Sequence, residues 1–227
     1  MAIIYQNPNG IIKGTIGPLY AKYVKGRNIF CIRPVPTGRL YDTMTDVYQR
    51  WRTTVRFCKG LSKITPLKKL NEKIRGNFFS GYNALISKNN GKCGLTAPTE
   101  NNTIVVDGFS IVMSNINLTE TAVTATVPAL NTLTYIPEGG VDVRFLGSIV
   151  YSDPVEAEKD PPFLVTPVDK TVAAYNFAAQ YSFSQNLDAV QLNLGARYQR
   201  KIVYLLASVT DADGTYLVNS QSASAVL

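Results

Sequence analysis

The sequence predicts an α+β chain that is mainly β, with a Gly-rich N-terminal arm or short strands, a basic helical hairpin and a C-terminal antiparallel β-sandwich. Three observations predict this. Apolar residues recur at helical spacing between about residues 43 and 78. From about residue 93, runs rich in β-branched and aromatic residues are separated by Asn, Gly, Asp and Pro. Charge also divides the chain, because the first 100 residues hold 17 of the 23 Lys and Arg and only four acids, a net +13. The remaining 127 residues carry a net −6. The segments so read are 1–40, 41–92 and 93–227.

Residues 1–40 are short apolar stretches punctuated by Gly10, Gly14, Gly17 and Gly26 and by Pro34 and Pro36. They lack helical periodicity and are expected to form an extended arm or short strands. Ile3, Ile4, Ile11, Ile12, Ile16 and Tyr20 are its candidate docking side chains. The spacing GIIKGTIG fits neither the dinucleotide nor the P-loop glycine pattern, so no phosphate-cradling loop is expected.

The clearest helix spans about 43–60. Thr43 followed by Asp46 resembles a capping box, with Asp in place of Glu or Gln. Met44, Val47, Trp51, Val55 and Cys58 fall on one stripe, which places Trp51 in the core. Arg52, Arg56 and Lys59 fall on a second stripe, and Gly60 ends the helix. A second helix is expected from Thr65-Pro66, with Thr65 as N-cap and Leu67, Leu70, Ile74 and Phe78 as its apolar line. Gly76 and Gly81 predict a break, followed by one further turn over Tyr82–Ile86. Paired, the helices would bury their apolar stripes together and leave Arg52, Arg56, Lys59, Lys63, Lys68, Lys69, Lys73 and Arg75 on a basic outer surface.

About nine strands are expected beyond residue 93: TIVVD, FSIVMS, AVTATV, LTYI, VDVRFLGSIVY, the Thr171–Phe183 stretch, AVQLNL, KIVYLLASV and TYLV. Their number and spacing suit one immunoglobulin-like or fibronectin-like domain. Val123, Ala125 and Val127 alternate with Thr, and Val190, Leu192 and Leu194 alternate with polar residues, so each set is assigned to one strand face. The DADG run, Asp211 to Gly214, is read as a hairpin turn and not as a calcium loop, because the twelve-residue pattern ending in Glu is missing.

Chemistry is sparse. The chain has no histidine, which excludes Ser-His-Asp and Cys-His nucleophiles, the HExxH zinc helix and imidazole acid–base work. Cys31, Cys58 and Cys93 form no CxxC pair and are read as small buried hydrophobes in a reducing compartment. The acidic cluster Asp153, Glu156, Glu158 and Asp160 lies among Pro154, Pro161 and Pro162, and reads as an exposed loop. No catalytic residue, metal site, cofactor or small-molecule substrate is expected. No apolar run reaches the roughly 18 residues needed to span a bilayer. The first residues, MAIIYQNPNGII, lack the basic start of a Sec-type signal, so synthesis in the cytoplasm is expected.

The opening MAII with Gly10, Gly14 and Gly17, then Lys25-Gly26 and Arg33-Pro34, resembles the start of an uncharacterised family of Bacteroidota proteins. So do the helix with Gln49, Arg52 and Phe57, the LSKITPL and SGYNALIS segments, and the closing YLLASVTDADGTYLVNSQ. The resemblance covers both ends of the chain and not residues 95–195. It implies a helical region joined to a fibronectin-like domain and an origin in Bacteroidota or their phages. It supplies no site residues.

Two function classes follow. The first is a non-enzymatic structural protein that self-assembles as a homo-oligomer or larger assembly, such as a virion or appendage component. Opposite charge on the two halves would let the acidic surface at Asp153, Glu156, Glu158 and Asp160 meet the basic region of another copy. The second is non-specific nucleic-acid binding through the basic helices, since phosphate contacts need only Lys and Arg.

Overall fold

A computed structural model describes residues 14–16, 19–24, 27–32, 42–131 and 136–227. Two compact units divide the chain, Met1–Thr43 and Met44–Leu227. With 39% of residues in strands and 23% in helices, and antiparallel sheets throughout, the class is α+β and mainly β.

In the first unit, β1 (Gly14–Ile16), β2 (Leu19–Val24) and β3 (Arg27–Ile32) form a three-stranded sheet in that order. Leu19 pairs with Ile32, Ala21 with Phe30 and Tyr23 with Asn28, which places all six residues on one face. Ile32 is 77% exposed on that face, and Leu19 and Tyr23 are also exposed. Strands this short bury little surface on their own. Ile3, Ile4, Ile11 and Ile12 lie outside the described residues, as does the side chain of Thr43.

Helix α1 (Asp42–Leu61), all but its first two residues in the second unit, is followed there by α2 (Thr65–Lys73) and α3 (Gly81–Asn89). Strands β4 (Ser114–Leu118), β5 (Ala122–Val127), β6 (Asp142–Pro154), β7 (Phe163–Val172) and β8 (Tyr181–Asn186) follow. Helix α4 (Ala189–Arg197) then leads into β9 (Tyr198–Thr210), β10 (Tyr216–Asn219) and β11 (Ala223–Val226). A large sheet has the order β10-β9-β6-β7, with β11 also on β9, and a small sheet has the order β4-β5-β8. The 13-residue strands β6 and β9 pair along nearly their whole length.

The two long strands are buried on both faces. Leu146 and Val150 of β6 and Ile202, Tyr204 and Leu206 of β9 share a core with Phe57, Leu61, Leu67, Leu70 and Leu85 of the helices. The alternate residues Phe145, Ile149 and Tyr151, with Val203, Leu205 and Val209, share a second core with Val123, Val127 and Phe183 of the small sheet. Phe145 is central there, with ring centroids of Tyr181 and Phe183 at 5.4 and 5.2 Å. Helices, large sheet and small sheet therefore form three layers. The segments 41–92 and 93–227, distinct in sequence character, share one compact unit from Met44 onward. At Gly147 the strands approach so closely that a Cβ would lie 2.3 Å from the Tyr204 carbonyl oxygen.

Several local expectations are corrected. AVQLNL is helix, not strand: Asp188 accepts from the Gln191 backbone N–H, and Gln191 accepts from that of Asp188, closing a capping box. Val190 is then 64% exposed, while Leu194 is buried. TIVVD also forms no strand. Its buried backbone is held by helix side chains instead. Asn89 Nδ2 donates to the Thr103 carbonyl and Asn89 Oδ1 accepts from Thr103 N–H. Asn71 bridges Ile104 and Val106 in the same way. FSIVMS contributes only a bridge from Phe109 to Ser220 and the first residue of β4. The N-cap of α2 is Ile64, with Thr65 already helical. Most of LTYI lies outside the described residues.

Other expectations hold. AVTATV is β5, with Val123, Ala125 and Val127 buried. Residues 211–214 form the β9–β10 turn, where Gly214 adopts φ +78°. The Asp211 carboxylate there accepts from the backbone N–H groups of Asp213 and Thr215.

Candidate functional site

Among the described side chains of α1, burial is confined to the second half of the helix. Thr54, Phe57, Cys58 and Leu61 recur at i, i+3, i+4 and i+7 and face the core. Residues 46–52 are exposed throughout, so Val47 and Trp51 of the expected stripe do not belong to the core. Trp51, expected in the core, is 44% exposed, and Val47 and Tyr48 are exposed beside it. The buried line runs through Phe57 and Leu61, which share a core with residues of β6 and β9.

The eight candidate basic residues are all exposed, and the structure sorts them into two sets. Arg52, Arg56, Lys59 and Lys63 border two adjoining clefts of about 730 and 680 Å³ that share Arg56, Lys59 and Phe163. One wall is α1, and the facing wall is the 161–167 segment at the start of β7, joined by the start of α2 in the first cleft and by Leu95 and Thr96 in the second. Tyr48 and Trp51, one helical turn apart, line the second cleft. The Arg52 guanidinium lies 5.6 Å from the Tyr48 ring centroid, and that of Arg56 lies 5.7 Å from the ring of Phe163, which is itself buried. These contacts hold the cations over aromatic faces without neutralising them. Among the described residues, the one acid lining either cleft is Asp169. Arg144 already engages its carboxylate with two hydrogen bonds, at 2.8 and 2.6 Å. The clefts are therefore strongly cationic.

The second set is placed elsewhere. Lys68 and Lys69 project from α2, with Lys68 beside a smaller recess between α2 and α3. Lys73 Nζ donates to the Tyr216 carbonyl, while Arg75 donates to the Phe79 carbonyl and lies 4.0 Å from Glu72.

Of the acidic candidates, Asp153, Glu156 and Glu158 are exposed. Asp160 is not. It is 9% exposed and forms an ion pair with Arg197, whose guanidinium it raises above its ordinary value by hydrogen bonding. Asp160 thus anchors the 155–162 loop to the end of α4. Glu156 spends part of its charge on Lys159.

Cys58 and Cys93 are buried and free, whereas Cys31, expected to be buried as well, is only partly so. Burial, with the neighbouring Cys93, pushes the Cys58 thiol up to about 12, and burial also raises Cys93. Asn89 and Asn102 donate towards the two sulfurs. Such thiols stay protonated at neutral pH and are poor nucleophiles. Among the described residues no group of three His, Cys, Asp or Glu side chains is placed to hold a metal ion, and no helix is long and apolar enough to cross a membrane.

The two-walled cleft was not foreseen. Charge on α1 pointed to one wall, but its partner comes from about 100 residues further along the chain. No protein-family model, curated protein or solved structure matches this chain.

Proposed function

We propose that this chain is a non-enzymatic structural protein that docks in many copies, as a component of a virion or surface appendage. The observation that supports this best is the set of exposed apolar side chains on one face of the N-terminal sheet, Leu19, Tyr23 and Ile32, around a buried Ala21. A small sheet gains stability by covering such side chains, and in this reading a second copy covers them. Net +13 on the first 100 residues and net −6 on the rest favour head-to-tail contact between copies. In this reading the β-layers of the second unit serve as an immunoglobulin-like or fibronectin-like module, made in the cytoplasm and incorporated into the assembly.

The test is sedimentation velocity on the wild type and on a Leu19→Lys/Ile32→Lys variant. Both positions are exposed, so the variant should keep its fold by circular dichroism and lose its multi-chain species. Unchanged assembly in a folded variant would count against this face as the contact.

A further inference from the structure

We propose that the two adjoining clefts between α1 and the 161–167 segment form a binding track for a single strand of nucleic acid. This inference goes beyond self-assembly and does not rest on it. Three observations carry it together. The first is charge: Arg52, Arg56, Lys59 and Lys63 border the track, and its one described acid, Asp169, is held by Arg144. The second is the exposed aromatic pair. The chain has a single tryptophan, and the fold leaves it 44% exposed, one turn from a half-exposed Tyr48. The third is spacing. Tyr48, Arg52, Arg56 and Lys59 follow one another along one side of α1, covering roughly 17 Å of helix.

Interleaved cations and rings are what a single strand requires. Phosphates bind Lys and Arg, and unpaired bases stack on flat aromatic faces irrespective of sequence. A duplex would use the cations alone, because its bases are already stacked. An acidic peptide would likewise use the charges and leave Trp51 and Tyr48 idle. Arg56 held over Phe163 and Arg52 held over Tyr48 limit the side-chain freedom lost on binding.

Trp51 is also the reporter. Oligo-dT of about 12 nucleotides, titrated into the full-length protein at low salt, should quench its fluorescence. A labelled version should give the affinity by anisotropy. Oligo-dT should bind more tightly than a duplex of equal length. Trp51→Ala should weaken oligo-dT binding by at least about fivefold, with helix content unchanged, and should leave duplex binding nearly unaffected. Arg56→Gln/Lys59→Gln should weaken both and lower the salt dependence of binding. Absence of binding at low salt would overturn the proposal. Equal binding of duplex with no effect of Trp51→Ala would do the same, reducing the track to a charged surface. Polyglutamate that displaces oligo-dT and quenches Trp51 equally would make the track a site for acidic protein.

Discussion

Truncating Phe57 should cost far more than truncating Trp51, although the two lie less than two helical turns apart on α1. Phe57 is fully buried, and its ring centroid sits 5.8 Å from that of Tyr204 on β9. It belongs to the core formed by Leu146, Val150 and Ile202 with the helices. Phe57→Ala removes a buried ring and leaves a cavity between two layers, which costs about 3–5 kcal/mol. Loss of the aromatic pair contributes about 0.5–1.5 kcal/mol of that range. At about 2–4 °C per kcal/mol for a unit of this size, Tm should fall by about 6–20 °C. Trp51→Ala trims a side chain that is 44% exposed, and should cost about 1 kcal/mol or less. Urea unfolding followed by far-ultraviolet circular dichroism measures both, since fluorescence would lose its only tryptophan. Equal costs, or a larger one at Trp51, would refute the assignment of the buried face.

Three further outcomes are expected. Asp188→Ala should destabilise by about 1 kcal/mol by opening the capping box of α4, and a urea midpoint equal to wild type would show that the cap contributes nothing. Stability should be flat through neutral pH, where no imidazole titrates, and should decline above pH 9. Burial raises the Cys58 thiol from 9.0 to about 12 and the Tyr151 hydroxyl from 10.0 to about 12. Both groups therefore stabilise the fold fully below their unfolded values and lose that contribution as pH rises towards 12, because the unfolded chain ionises first. An unchanged midpoint at about pH 10.5 would contradict this. Charge reversal at Asp153, Glu156 and Glu158 should weaken self-association at low salt by light scattering, whereas Asp160→Lys should lower thermal stability, because that carboxylate is committed to Arg197.

The sequence signalled the element types better than their arrangement. KIVYLLASV and VDVRFLGSIVY read correctly as strands, but their nearly unbroken apolar character carried a further message. A strand buried on one face alternates, whereas β6 and β9 are apolar on both because helices cover one side and the small sheet covers the other. That pattern foretold a third layer. In AVQLNL, alternation over six residues suited a strand, and the deciding signal was local: Asp188 three residues before Gln191. TIVVD had strong β character, yet Asn71 and Asn89 supplied the hydrogen bonds a neighbouring strand would have given. No single-sequence pattern announces such a rescue. The cations of the candidate track were legible from charge alone. Exposure of Trp51 was not, because helical periodicity identifies a stripe without saying where along it the core ends.

Light scattering on the full-length wild-type chain, from low salt to well above physiological ionic strength, tests self-assembly most directly. Rim charges are screened over about 8–10 Å at physiological salt, so formation should slow as salt rises. Apolar contact through Leu19, Tyr23 and Ile32 should still hold the copies together. A multi-chain mass that persists at high salt is the expected result. A monomer mass at every salt concentration, and at protein concentrations up to those of a packed assembly, would contradict it.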